Sequence, residues 1–442
     1  MKILKFGGTS LASAQRIKNA AHLIDGDSNN LVVLSAMSGI TNTLSDIYFD
    51  LLNGKSEKAL DQISKINLHF NETAYQLFEK NDYLQIALEE INSSFIEIKA
   101  FNETTRIKEL LSYGEIITTR LFSIYLNSIG RSNTLIEALD FMILNEDGEP
   151  DMKAISQKIK KHIDPTQKNH LYITQGFICR DKNGNISNLK RGGSDYTATI
   201  IGAAIHAENI TIWTDIDGLH NNDPRYVNDT KAITDLNFDE AAELAYFGAK
   251  ILHPSSIRPA RDKNIPVLLK NTLDPEALGT LISENKDIKG IKAIAAKDGI
   301  QIIRIQSGRM LMAHGFLKRV FGVFDRFKVP VDVITTSEVS VSITIENNSM
   351  INAIIFELQK LGEVELIENC SIISAVGSNI SINPKVLAPL FSCLSLIQPR
   401  MISLGGSRNN ITIVLDSDKK IMALNLLNES IFKNNFYEEL AS

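Results

Sequence analysis

The amino-acid order predicts an α/β protein in two parts. A mainly parallel sheet sandwiched by helices occupies 1–283, and two interleaved ferredoxin-like units occupy 290–442. Three observations predict this. Apolar strand-like runs alternate with helical stretches through the first part. A polar, charged break, SENKDIKG, follows at 283–290. Beyond it, a β-α-β-β-α pattern occurs twice.

The first 45 residues read as strand, glycine turn, helix, strand: Ile3 to Phe6, then Gly7-Gly8-Thr9-Ser10, a helical pattern through Ile24, and LVVLSA at 31–36. From about 45 to 130 the apolar period is helical, an insertion with Leu77, Ile86, Ile91, Ile96, Leu110 and Leu121 as buried candidates. Strand runs return at 171–178, 209–216 and 265–271, separated by helices around 194–207 and 238–249.

The first C-terminal unit, about 298–369, runs through strand 300–306, a helix carrying Phe316 to Phe327, strands 331–336 and 339–345, helix 349–361 and strand 363–368. The second, about 370–442, has strand 371–377, a helix carrying Val386 to Leu394, strands 399–404 and 409–415, and helix 418–428. It lacks a closing strand, while 291–297 is a strand with no place in the first unit. The expectation is that 291–297 completes the second unit, so that the first is inserted into it.

With 442 residues the chain exceeds a single core. A net charge of −6 without any basic run argues against nucleic acid and anionic membranes as partners. The opening MKILKFGG breaks too early for a signal-peptide core, and no run of about 18 apolar residues marks a membrane span. The cysteines, Cys179, Cys370 and Cys393, are few, odd in number and widely spaced. They suit structural thiols in a reducing, cytoplasmic setting, and no metal-ligand spacing is present.

Four clusters carry candidate chemistry. In KFGGTS (5–10), Gly7 and Gly8 remove Cβ atoms beside Lys5, which suits an anion and equally suits a plain turn. In LKRGGSDYTA (189–198), Arg191 suits bidentate capture of a carboxylate, and Ser194 and Asp195 precede an Ala-rich helix. An N-cap role for Ser194 or Asp195 explains the same pattern. WTDIDGLHNNDPR (213–225) gathers Asp215, Asp217 and Asp223 after a buried strand, as Asx turns or as a nucleotide platform. In FGAKILHP (247–254), Lys250 follows a small-residue turn and suits transferred phosphate charge, or is a solvated lysine; His253 suits packing or a hydrogen bond.

Together with SAMSGITN (35–42) and SYGE (112–115), these strings resemble the aspartate kinase family of the amino acid kinase fold over nearly the whole chain. The C-terminal units resemble that family's paired ACT domains. The resemblance implies ATP-dependent phosphorylation of the L-aspartate side-chain carboxylate, with Mg²⁺ arriving on the ATP. Lys5 and Lys250 are implied to contact the ATP phosphates, and Asp195 to organise those lysines. Ser35, Thr41, Glu115, Phe177, Arg191 and Ser194 are implied to bind aspartate, Glu115 through its α-ammonium. Gly7, Gly8, Thr214, Asp215, Asp217, His220 and Arg225 are implied to bind the nucleotide. Lys190, His220 and Cys179 depart from the family's usual glycine, tyrosine and glycine. No general base is required, because a carboxylate of pKa about 4 is ionised at neutral pH.

MLMAHGFL (310–317) and VDVITTSEVSV (331–341) resemble the lysine-sensing segment of lysine-sensitive members. Met310, Phe316, Leu317, Val331, Asp332, Ser337, Glu338 and Val339 are thereby candidates for binding an amino-acid effector, lysine or else threonine. The same segments also read as a helix start and a strand edge used in dimer packing. A glutamate kinase or a catalytically silent amino-acid sensor are the rival functions. No dinucleotide-binding fingerprint is seen, so the homoserine dehydrogenase fused to some members is not expected. Exposed sheet edges and the resemblance favour a homodimer or a dimer of dimers.

Overall fold

The structure is a computed structural model that describes residues 1–442 except 27, 80–81, 103–105, 165, 190–191, 249–252, 285–289, 311–313 and 434–442. The opening βαβ unit is present. β1 (Lys2–Phe6) and β2 (Asn30–Leu34) pair in parallel around the helix Ala14–His22, with β2 buried along its whole length. After them come β3 (Thr134–Ile136), β4 (Leu171–Gln175), a small hairpin of β5 (Ile178–Arg180) and β6 (Ile186–Asn188), β7 (Ile210–Thr214), β8 (Asp235–Asn237), β9 (Val267–Asn271) and β10 (Thr280–Ser283). The main sheet has the order β3-β4-β2-β1-β7-β9-β10-β8 and is parallel throughout except between β9 and β10. Burial on both faces explains the nearly unbroken apolar runs of its central strands.

The insertion is helical as expected, with Ile40–Leu52, Ser56–Leu77, Asp82–Lys99 and Ile107–Ser128. Leu77, Ile91, Leu110 and Leu121 are buried, but Ile86 and Ile96 are 46% and 68% exposed. On the helix Asp82–Lys99 the buried stripe is Ala87, Ile91, Phe95 and Ile98. These positions recur at helical spacing, and 86 and 96 fall outside that stripe.

In the C-terminal region the expected strands 291–297 and 300–306 are one strand, β11 (Gly290–Gln306), and 363–368 and 371–377 are one strand, β14 (Glu363–Ser378). Between them in the chain lie β12 (Ile334–Thr336) and β13 (Ser340–Glu346), and after them β15 (Met401–Ser403) and β16 (Asn410–Asp416). The order is β12-β13-β11-β14-β16-β15. The first half of β11 pairs with the second half of β14, Ala293 opposite Val376 and Lys297 opposite Ile372. The second half pairs with β13 and the start of β14. Gly299 and Asn369, at φ +72° and +56°, allow each strand to pass from one unit to the other across a register shift. The expected strand 331–336 is shorter, because Val333 donates its N–H to the Thr344 hydroxyl and the regular pairing begins at Ile334.

The chain forms two compact units, 1–219 with 234–238 and 252–284, and 220–233 with 239–251 and 285–442. The expected division lay at about 283, without the two earlier segments in the second unit. Their bonds explain the difference. Ile294 donates its N–H to the Asn221 carbonyl, and Lys292 Nζ lies 2.9 Å from the fully buried carboxylate of Glu240. Lys292→Met, which takes the cation from Glu240, is expected to destabilise the full chain by about 3 kcal/mol in urea titration.

Candidate active site

The carboxyl ends of β4, β2, β1 and β7 are neighbours in the main sheet, the edge where ligands of parallel α/β sheets bind. Lys5, near the end of β1, is 8% exposed, and its ammonium lies 2.6 Å from Asp195 Oδ1. Asp195 sits in the first turn of the helix Gly193–Ile205, where the helix dipole also favours an anion. The N-cap of that helix is Gly192, at φ +79°, with no side-chain cap bond. Capping is therefore not the task of Ser194 or Asp195.

Gly8 is selected by close approach, not by an unusual turn. Gly8 is in ordinary right-handed helical geometry, and a Cβ on it would lie 2.8 Å from the Ala36 carbonyl oxygen. A Cβ on Gly7 would lie 3.4 Å from Lys5 Nζ, an ordinary contact. The Gly7 N–H is taken by the Trp213 carbonyl, and a short 3₁₀ turn, Thr9–Leu11, follows.

Beside this turn lies a cavity of about 390 Å³ lined in part by Gly8, Ser35, Thr41, Glu115, Phe177 and Ser194. Six residues singled out from sequence are thus brought together. Phe177 is at φ +64°, its N–H bonded to the Thr197 hydroxyl, and its ring packs on Gly193. A Cβ on Gly176 would lie 2.5 Å from Ser194 Oγ, so this glycine makes room for the serine. The loop after β2 supplies further lining residues, Met37, Ser38, Gly39 and Asn42, which the sequence reading passed over although SAMSGITN contains them. Thr118, also passed over, accepts the Met37 N–H at 3.2 Å. No local signal marks Thr118, because it reaches the loop from the distant helix Ile107–Ser128.

Glu115 is 3% exposed, and its Oε2 has no hydrogen-bond partner. Burial pushes its carboxyl up to about 8, against the opposing bond from the Ala36 N–H. A buried acceptor at a cavity wall is suited to an ammonium, which would restore its ionised form.

Thr214 ends β7, and its carbonyl accepts the Thr272 N–H and hydroxyl, both at 2.8 Å. Asp215 accepts from the Thr214 hydroxyl, and Gly218, at φ +127°, is pressed against Thr280 Oγ1. Asp217 belongs to the same compact unit. His220 and Arg225 belong to the other, where His220 Nδ1 lies 2.8 Å from the Thr230 hydroxyl and Arg225 donates from Nε and Nη2 to the two carboxylate oxygens of Asp223. Arg191 and Lys250 lie outside the described residues, as does Lys190. His253 Nδ1 accepts the Ser255 N–H, a capping role in line with the hydrogen-bond reading. Cys179 is buried, and burial pushes its thiol up to about 12. Among the described residues no cluster of three or more His, Cys, Asp or Glu could hold a metal ion, and no helix is long and apolar enough to cross a membrane.

Of the effector candidates, Phe316 is a core residue at 2% exposure, while Met310 and Val331 are half-buried against the same core. Leu317, Ser337, Glu338 and Val339 are exposed, with Ser337 closing the turn between β12 and β13 through the Ser340 hydroxyl. Asp332 Oδ1 accepts from Lys297 Nζ at 2.9 Å and from the Tyr246 hydroxyl at 2.8 Å.

The amino acid kinase family model matches residues 1–271, and an ACT domain model matches 373–431. Chloroplastic aspartokinase 3 of Arabidopsis thaliana is 34% identical, over 99% of this chain and 83% of that protein. The chain belongs to the aspartokinase family. Among solved structures, E. coli aspartokinase III in complex with aspartate and ADP, in the R-state, superposes with a TM-score of 0.84 at 32% identity, covering 98% of this chain and 100% of that one. The same E. coli protein in complex with lysine and aspartate, in the T-state, gives 0.82 at 32% identity with the same coverage. Membership in the aspartokinases accounts for both the mainly parallel sheet and the antiparallel C-terminal sheet.

Because the folded carboxyl of Glu115 titrates about 8 and an unfolded one near 4.5, the unfolded chain holds fewer protons between these values, and stability falls as pH rises through that window. Glu115→Gln is expected to remove this loss. Its thermal midpoint, followed by circular dichroism, should exceed the parent's at pH 8 and converge with it near pH 4.5.

Proposed function

We propose that this aspartokinase transfers the γ-phosphoryl group of MgATP to the side-chain carboxylate of L-aspartate, forming 4-phospho-L-aspartate, the first step towards lysine, threonine and methionine. The observation that carries this reading is the Lys5–Asp195 pair beside a cavity walled by Glu115 and Ser194. A substrate carboxylate oxygen attacks the γ-phosphorus, the bond to the β-phosphate bridging oxygen breaks, and ADP leaves. The nucleophile is already ionised, so the protein's work is positioning and charge stabilisation.

Asp195 holds Lys5 in one orientation, and the ammonium offers its remaining protons to phosphoryl oxygens as charge moves onto the leaving group. Ser35, Thr41 and Ser194 supply hydroxyls to the substrate's carboxylates, Phe177 packs against it, and Glu115 receives the α-ammonium. Arg191 and Lys250 take the carboxylate and phosphate roles their motifs imply. Thr214, Asp215 and Asp217 receive the nucleotide with Gly7 and Gly8. Mg²⁺ enters as part of the substrate MgATP. Feedback comes from an amino acid, lysine before threonine, at Asp332 and its neighbours, which the lysine-bound E. coli relative supports. A homodimer or dimer of dimers is the proposed assembly, in a reducing cytoplasm that suits three free thiols.

Hydroxylamine trapping of the acyl phosphate should give product with ATP and aspartate and none with glutamate; absence of aspartate-dependent product rejects the reading. Lys5→Ala should lower kcat by about a hundredfold or more and change the aspartate KM far less. Because Glu115 must ionise to hold an ammonium, the aspartate KM should fall about tenfold per pH unit up to about 8 and level off above it, a dependence absent in Glu115→Gln.

A further inference from the structure

The helix Phe238–Phe247 lies in the stretch that connects β8 to the FGAKILHP motif, yet residues 239–251 belong to the C-terminal compact unit. Its side chains explain why. Glu240, fully buried, is held by Lys292 Nζ and the Ser378 hydroxyl, each at 2.9 Å. Glu243 accepts from Asn410 Nδ2 at 2.8 Å. The backbone then passes so close to Ala296 at Gly248, φ +135°, that no side chain could stand there.

The last tie is of another kind, because it goes to an effector candidate. Tyr246 donates its hydroxyl to Asp332 Oδ1 at 2.8 Å, and its ring lies under Lys297 Nζ at 5.1 Å from the centroid. Lys297 bridges Asp332 and Glu346 at 2.9 and 2.8 Å. Burial opposes the charge on Lys297, but the bonds to Glu346 and Asp332 outweigh it and hold its pKa above the ordinary lysine range. The Asp332 side chain is 4% exposed, and its Oδ2 is buried with no hydrogen-bond partner. One carboxylate oxygen is thus occupied from within the chain, and the other is an unmet acceptor in a desolvated place, the condition that favours an arriving ammonium.

We propose that Tyr246 is a positioning residue of the effector site, its hydroxyl holding Asp332 Oδ1 in the effector-free chain and being released as the carboxylate turns to give both oxygens to an arriving amino-acid ammonium. This rests on the reading of Asp332 as an effector ligand. Release frees the end of the helix two residues before Gly248 and four before Lys250 in sequence. Effector occupancy is thereby felt at the helix end, Tyr246 and Phe247. Differential affinity for two states is what such a device requires.

The test uses the full chain with L-lysine as the probe, reading kinase inhibition, calorimetric binding and amide exchange. In the parent protein, lysine should quicken exchange over 239–248. In Tyr246→Phe the exchange should be quickened without lysine, and the half-inhibitory lysine concentration should fall about tenfold, the factor for one hydrogen bond to a charged group. Asp332→Asn, which keeps an acceptor for Tyr246 but loses the charge, should abolish lysine binding. A Tyr246→Phe titration that superposes on the parent's, with lysine still bound and inhibitory, overturns the tie and leaves the effector reading standing. Unchanged exchange over 239–248 in the lysine-inhibited parent protein overturns the tie without recourse to a variant. A parent chain that binds no lysine, or an Asp332→Asn that binds it normally, overturns the effector reading and the tie with it.

Discussion

The ion pair between Lys5 and Asp195 is the constraint around which the catalytic part is arranged. An ion pair at 2.6 Å between two side chains so little exposed requires that β1 and the first turn of the helix Gly193–Ile205 meet. Several glycines follow from that demand. Gly8 lets the next turn lie against the Ala36 carbonyl, and Gly176 and Gly193 leave space for Ser194 and Phe177. The cavity is the volume these small residues leave between the pair and the helix that carries Glu115.

Glu115 and Lys5 represent opposite solutions to burial. Lys5 has a counter-charge at 2.6 Å and pairs within the protein. Glu115 has none at its Oε2 and holds its proton up to about 8. One is satisfied within the protein and the other is not. The same contrast recurs within Asp332, where Oδ1 accepts two hydrogen bonds and Oδ2 accepts none.

In the C-terminal sheet the decisive feature is continuity. β11 and β14 each serve both units, so neither unit closes its sheet without strand halves that the other shares. Polar interruptions at Lys297-Asp298-Gly299 and Glu368-Asn369-Cys370 look like ends of strands in one dimension. In the sheet they are points of register shift, tolerated because Gly299 and Asn369 adopt positive φ.

Periodicity and short motifs carry the fold class, the order of elements and most of the cavity lining, because strand alternation, helical stripes and glycine turns are local properties of the chain. Ser35, Thr41, Glu115, Phe177 and Ser194 could be named from their strings, but their convergence in one cavity depends on parallel strands placed side by side. Other features arise only from contacts between residues far apart in sequence. The placement of Ile86 and Ile96 on the outside, the Thr118 bond to Met37, the core position of Phe316 and the bond from Tyr246 to Asp332 have no local signature. The assignment of 220–233 and 239–251 to the C-terminal unit is of the same kind. Hydrogen bonding and desolvation act through space, and the chain's one-dimensional pattern does not record which distant group will satisfy a buried charge.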